Sequence, residues 1–164
     1  MLAPPSRHAL ESRQHRLVVG CRIENSEMET CVPALELSSE TRSSDHQSAY
    51  LPVRFTPDEK LAAVDKLLLA FDGVALCSAV GELPSKGKII HGRHCSTTVV
   101  FMEKLISPVH ALIGKITKQH SAALPPPLVL NKHCPACEFQ LRCRKLALEK
   151  DDLSLLSNLT AEER

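Results

Sequence analysis

The stretch from Leu61 to Ala75 does most to constrain the fold. Leu61, Val64, Leu68, Phe71 and Ala75 recur at three- and four-residue spacing, with Leu67 and Val74 widening the stripe. That is the period of a helix that buries one face. It opens on "TPDEK", Thr56–Lys60, which puts Pro57 and two acids at the positive end of the helix dipole, and Gly81 and Pro84 follow it. The pattern predicts a helix over Asp58–Val80. Such a helix needs a surface to cover, and the flanking sequence supplies one. Arg16–Ile23 and Cys31–Leu37 are rich in branched residues, and Ala49–Phe55 partly alternates. "KGKIIHG" and "STTVVFM" follow the helix around a turn at Gly92. Three strands, a helix and two strands predict an α/β fold, a mixed sheet with the helix packed on it. Pro52 suits an edge strand or a bulge.

Further along, Leu105, Ile106, Val109, Leu112, Ile113 and Ile116 predict a second helix over Glu103–His120, with Pro108 in its first turn. "SAALPPPLVLN" is a stiff, extended connector to the last third of the chain. At 164 residues and 43% apolar there is material for one core, and with 3% aromatics that core must be aliphatic. A formal charge of +1 excludes any globally basic or acidic surface, so contact with nucleic acid would have to be local. No apolar run reaches membrane-spanning length, and "MLAPPSRHALESRQH" lacks the apolar core of a signal peptide. The expected location is cytoplasmic, where seven cysteines read as metal ligands plus buried single thiols.

Three of those cysteines carry the strongest chemical signal. Cys134, Cys137 and Cys143 are spaced C-x2-C-x5-C within "NKHCPACEFQLRCRK". Pro135 tightens the turn between the first two. Cys143 would leave their side of a straight helix, so the segment must turn around a ligand before continuing as "RKLALEK". Polar neighbours, among them Lys132, His133, Glu138 and Arg142, argue against three thiols buried as small hydrophobes. Zinc would ask for a second knuckle or two histidines. An iron–sulfur cluster accepts a distant fourth thiolate, from Cys21, Cys31, Cys77 or Cys95 or from outside this chain.

Three clustered C-terminal cysteines after a proline-rich connector, behind this order of elements, resemble the RecB-like nucleases of the PD-(D/E)XK superfamily. The resemblance is closest to the iron–sulfur branch that includes CRISPR-associated exonucleases and AddB-type nucleases. "YLPVRFTPDEKLAAVDKLLLAFDGVAL", "GKIIHG" and "PPLVLNKHCPACEFQLRCRKLALEKDDLSLLSNLTAEE" are similar to RecB-like nucleases found within longer bacterial proteins. The resemblance implies a restriction-endonuclease-type core over residues 16–124 after a tail at 1–15. It implies a cysteine-cluster segment at 125–150 holding a 4Fe–4S cluster, with zinc as the alternative. Residues 151–164 would begin a following region, and the parent protein would carry helicase or RNase H-like domains and meet DNA. The pattern of Thr160 and Glu163 fits this, since it should open a helix that the sequence ends too soon to complete.

In the resembling nucleases the second strand brings an Asp and the third a Glu-x-Lys, and the acids hold Mg²⁺ or Mn²⁺. Here the third run reads Pro52-Val53-Arg54-Phe55-Thr56, so a guanidinium and a hydroxyl stand in for that pair, and Pro33 lies near the expected Asp. Lys66 and Phe71 stand where a Gln and a Tyr often steady the site. The resemblance therefore implies a DNA-associated nuclease-family domain with absent or impaired catalysis. An active nuclease would have to use displaced carboxylates, with Glu36, Asp45 and Glu59 as candidates. A third reading is a zinc-stapled interaction domain. His91, His94 and Cys95 on the Gly92 turn read as solvated polar residues. Lys86, Lys88, Arg93, Lys115, Lys118, Lys132, Arg142, Arg144 and Lys145 could line a DNA-facing groove, but cations scattered in this way read first as a solvated surface.

Overall fold

The computed structural model describes residues 15–38, 50–124 and 128–156. Five strands, β1 (Leu17–Glu24), β2 (Glu29–Leu37), β3 (Tyr50–Thr56), β4 (Lys86–His91) and β5 (Ser96–Phe101), form one sheet in the order of the chain. β1, β2 and β3 are an antiparallel meander, β3 pairs in parallel with β4, and β4 and β5 close an antiparallel hairpin. The parallel step requires a crossover, which α1 (Ala63–Val80) provides. The expected mixed α/β sheet is present, and so is α2 (Glu103–His120). The chain divides into two compact units, the sheet unit to Thr117 and a C-terminal unit from Lys118.

Several local expectations change. α1 begins at Ala63, later than Asp58. Its cap is the backbone N–H of Ala62, which donates to the Asp65 carboxylate at 2.7 Å. Asp58 and Glu59 serve the preceding loop instead: Asp58 bonds with Thr56, and Glu59 accepts the Arg93 N–H at 3.2 Å. The helix ends as expected at Gly81, whose left-handed φ of 80° suits glycine.

The buried face of α1 is centred on Leu69, Asp72, Gly73 and Leu76. Val64 and Leu68, counted on the apolar stripe, are 56% and 42% exposed. Pro52 lies in the central strand rather than at an edge. It is tolerated because the ladder to β4 starts only at Val53, just after the residue that has no N–H to offer. Pro108 sits in the second turn of α2, where its ring cannot donate to the carbonyl of Lys104.

β1 and β2 change phase together. Gly20, with φ of 65°, stands across from Pro33 at the one break in an otherwise continuous register. Before it Val18 faces the core and after it Cys21 and Ile23 do; on β2, Val32 and Leu35 behave in the same way. A strict two-residue alternation would send two of these five to the other face. The crease keeps all five in one cluster with Tyr50, Ala75 and Leu76. A second cluster, Leu69, Ala70, Val74, Ile89, Val100, Met102 and Val109, joins α1 to β4, β5 and the first half of α2.

Candidate functional site

Register decides which third-strand residues can meet Glu36. Glu36 pairs with Leu51, and Ala34, Val53 and Lys88 form a row beside it. These side chains stand on one face of the sheet. The Lys88 ammonium donates to Glu36 Oε2 at 2.6 Å, with the two side chains 28% and 42% exposed. Glu36 is thus held by a cation from a strand two places away. The pair escaped sequence reasoning because β2 and β4 meet only through the topology.

Arg54 projects to the opposite face, toward α1. Its guanidinium makes a two-pronged contact with Asp72, through Nε to Oδ2 and through a terminal nitrogen to Oδ1 at 2.9 Å. Thr30 Oγ also donates to Asp72 Oδ1, at 2.8 Å. Asp72 is completely buried while Arg54 keeps 23% of its side chain in solvent. This is a structural clamp of β2, β3 and α1, in which a buried carboxylate is satisfied by a charge and a hydroxyl. A sequence signal existed for it: Asp72 interrupts "LLLAFDGVAL" and needs a cation wherever that helix is buried.

Glu59, the other described candidate acid, does not join Glu36. Glu59 lies beyond the far end of β3, against the Gly92–Arg93 turn. Asp45 is outside the described residues, as are Thr160 and Glu163. Thr56 is engaged with Asp58, and Lys66 is exposed. His91 Nε2 lies 2.9 Å from Thr98 Oγ, apart from the exposed His94 and Cys95. Among the described residues no group of three or more His, Cys, Asp or Glu side chains converges to hold a metal ion.

The cysteine segment has a distinct local geometry. Asn131 opens it: its carbonyl accepts the Cys134 N–H at 3.0 Å, and its side-chain oxygen accepts the His133 N–H at 2.9 Å. Its own N–H donates to Cys134 Sγ at 3.2 Å. A short 3-10 turn, Cys134–Ala136, brings the chain to Cys137. Cys143 lies in the first turns of α3 (Gln140–Glu149). An N–H aimed at a cysteine sulfur suits a thiolate, which accepts more strongly than a thiol. Cys137 is exposed, while Cys134 and Cys143 are half-buried.

Of the proposed fourth ligands, Cys21 is 1% exposed in the sheet core. Burial, and secondarily the charge of Cys31, push its thiol above the ordinary value. Cys77 is raised by burial alone. Both are held as neutral thiols. Cys31 and Cys95 are exposed. No protein-family model matches the chain, and no curated protein matches it either. Among the described residues no helix is long and apolar enough to cross a membrane.

Proposed function

We propose that this chain is a RecB-like nuclease-fold domain of the PD-(D/E)XK superfamily. It associates with DNA in the cytoplasm as part of a longer protein, carries an iron–sulfur cluster and does not itself cleave. The observation that carries the reading is the clamp on Arg54. Where the resembling nucleases place a metal-binding carboxylate, this chain has a guanidinium committed to the buried Asp72. A meander followed by a helical crossover into a parallel strand is the arrangement expected of that core. Glu36 alone, with Lys88 on it, is a poor site for Mg²⁺, which takes its protein ligands from carboxylates and is repelled by a neighbouring ammonium.

Cys134, Cys137 and Cys143 would supply three thiolates to the cluster, whose role is to staple the C-terminal unit. That unit needs a staple. Among its described residues only Ala147 and Ser154 are buried, while Phe139, Leu141 and Leu148 are 54%, 82% and 62% exposed. A segment of this length with so little core depends on a metal or a partner. Iron and acid-labile sulfide in protein purified without oxygen support the cluster; stoichiometric zinc in colourless protein replaces it with a zinc staple.

A second reading, an active nuclease, draws on the Lys88–Glu36 pair, since a lysine beside an acid is what such a site uses to orient water. An assay of single- and double-stranded DNA with Mg²⁺ and with Mn²⁺ separates the two. We expect no metal-dependent cleavage and weak, salt-sensitive binding. Cleavage that disappears in Glu36→Ala reverses the assignment.

A further inference from the structure

The C-terminal unit contains a cavity of about 400 Å³, within the roughly 300–1,000 Å³ typical of small-molecule sites. Its polar lining is one-sided. Lys132 and Arg144 bring two cations, and neither has an ion-pair partner among the described residues. Asn131 uses its side-chain oxygen on the His133 N–H, which leaves the amide nitrogen as its available donor, and Gln140 adds a second amide. Ser154 is 8% exposed, and its Oγ is closed to solvent without a hydrogen-bond partner. Among the described residues no Asp or Glu lines the cavity. The nearby Asp152 carboxylate is turned to the Ser154 backbone N–H at 2.8 Å. Leu130, Pro135, Leu155 and Leu156 form the apolar remainder, and Cys134, a ligand of the proposed cluster, also lines the cavity.

Two cations, two amides and an idle buried hydroxyl, with no carboxylate among the described lining residues, describe a receptor for an anion that has several acceptor oxygens. The volume and the apolar wall leave room for a body beyond the anion. We propose that this cavity binds a phosphate monoester with a flat or apolar body, of which a nucleoside monophosphate is the simplest example. Arg144 and Lys132 take the phosphate, and Ser154 donates its hydroxyl to it. The same chemistry is offered by a free mononucleotide and by the phosphorylated end of a strand. The site is independent of the reading of the sheet unit, since its described lining lies in the C-terminal unit. It shares Cys134 with the proposed cluster, so binding is measured on protein whose iron and sulfide content is known.

Calorimetry on the full chain tests it with dAMP, deoxyadenosine, inorganic phosphate, and a short oligothymidylate with and without a terminal phosphate. We expect saturable binding of dAMP, weaker binding of inorganic phosphate and none of deoxyadenosine. Arg144→Gln and Lys132→Gln should each weaken dAMP binding roughly tenfold, and Ser154→Ala about threefold, as for lost bonds to a charged oxygen. Lys145→Gln, on the neighbouring residue that faces Glu149, should leave it unchanged. Preference for the phosphorylated oligothymidylate over dAMP identifies a strand end as the ligand, and the reverse identifies a free nucleotide. Deoxyadenosine binding as well as dAMP, no saturable binding at millimolar concentration, or equal loss in Lys145→Gln overturns the proposal.

Discussion

The two units solve the problem of staying folded in opposite ways. The sheet unit buries its aliphatic residues to completion: Val32, Leu35, Leu69, Ala70, Leu76 and Ile89 have no exposed surface. The C-terminal unit leaves Leu124, Leu141 and Leu148 at 79%, 82% and 62% exposure and holds its shape through short-range backbone bonds around Asn131, Cys134 and Phe139. Hydrophobic burial grows with the area removed from water, so the first unit is stable by volume and the second only by local geometry. The sheet unit's form follows from its own packing, whereas the C-terminal unit is where the proposed cluster would act.

The largest expected effect tests the buried polar clamp of the well-packed unit. Asp72→Ala leaves the Arg54 guanidinium half-buried without its partner and Thr30 without its acceptor. Removing one member of a buried pair costs about 3–5 kcal/mol, and urea denaturation should show that loss. A loss below about 1 kcal/mol would mean that the clamp is ornamental and that packing alone holds α1.

Next in size is a direct contrast between the units. Leu69→Ala removes a fully buried side chain and should cost about 2–5 kcal/mol. Leu141→Ala, at a residue 82% exposed, should stay within about 0.5 kcal/mol. Equal costs would erase the distinction.

Cys134→Ser sharpens it from the other side. It should release the C-terminal unit, with protease cleavage in 128–156 rising several-fold while the sheet unit's denaturation midpoint does not move. An unchanged cleavage pattern would remove the staple from the account.

The smallest effect is a pH dependence confined to the sheet unit. Unfolded thiols ionise near 9.0, whereas burial raises those of Cys21 and Cys77 above that value. Above pH 9 the unfolded chain therefore holds fewer protons than the folded one. The stabilisation contributed by these neutral thiols is complete below that pH and lost as pH rises from 9.0 toward their folded values. Melts across that interval should show the decline, and Cys21→Ala with Cys77→Ala should flatten it.

Order of elements was legible in the sequence because branched runs and turn residues mark strands locally, and all five strands and both long helices fall where those marks lie. The face of α1 was not. From Leu67 to Val80 the helix is apolar almost all round, so periodicity barely discriminates, and the one polar residue that fixes its orientation, Asp72, reads as a flaw. Pro52 misled in a similar way, since its tolerance depends on where the ladder to β4 begins and that is a long-range fact. The turn around Cys134 was legible from its spacing, whereas the bond from Asn131 to its sulfur was not. Lys88 beside Glu36 could not be seen at all without the sheet order.

The parallel seam between β3 and β4 has a consequence for how the protein comes into being. The meander and the β4–β5 hairpin are each made from sequence neighbours, but Val53 reaches Lys88 only across the whole of α1. During synthesis from the N-terminus, the meander is complete while β3 still has one bare edge. Until β4 emerges and docks, that edge is an unpaired row of backbone donors and acceptors beside the exposed ring of Phe55. A β4–β5 hairpin from a neighbouring chain satisfies it as well as the chain's own. The topology therefore predicts a dimer that has exchanged that hairpin as the misassembled form at high concentration, and size-exclusion chromatography of concentrated refolded protein should show it.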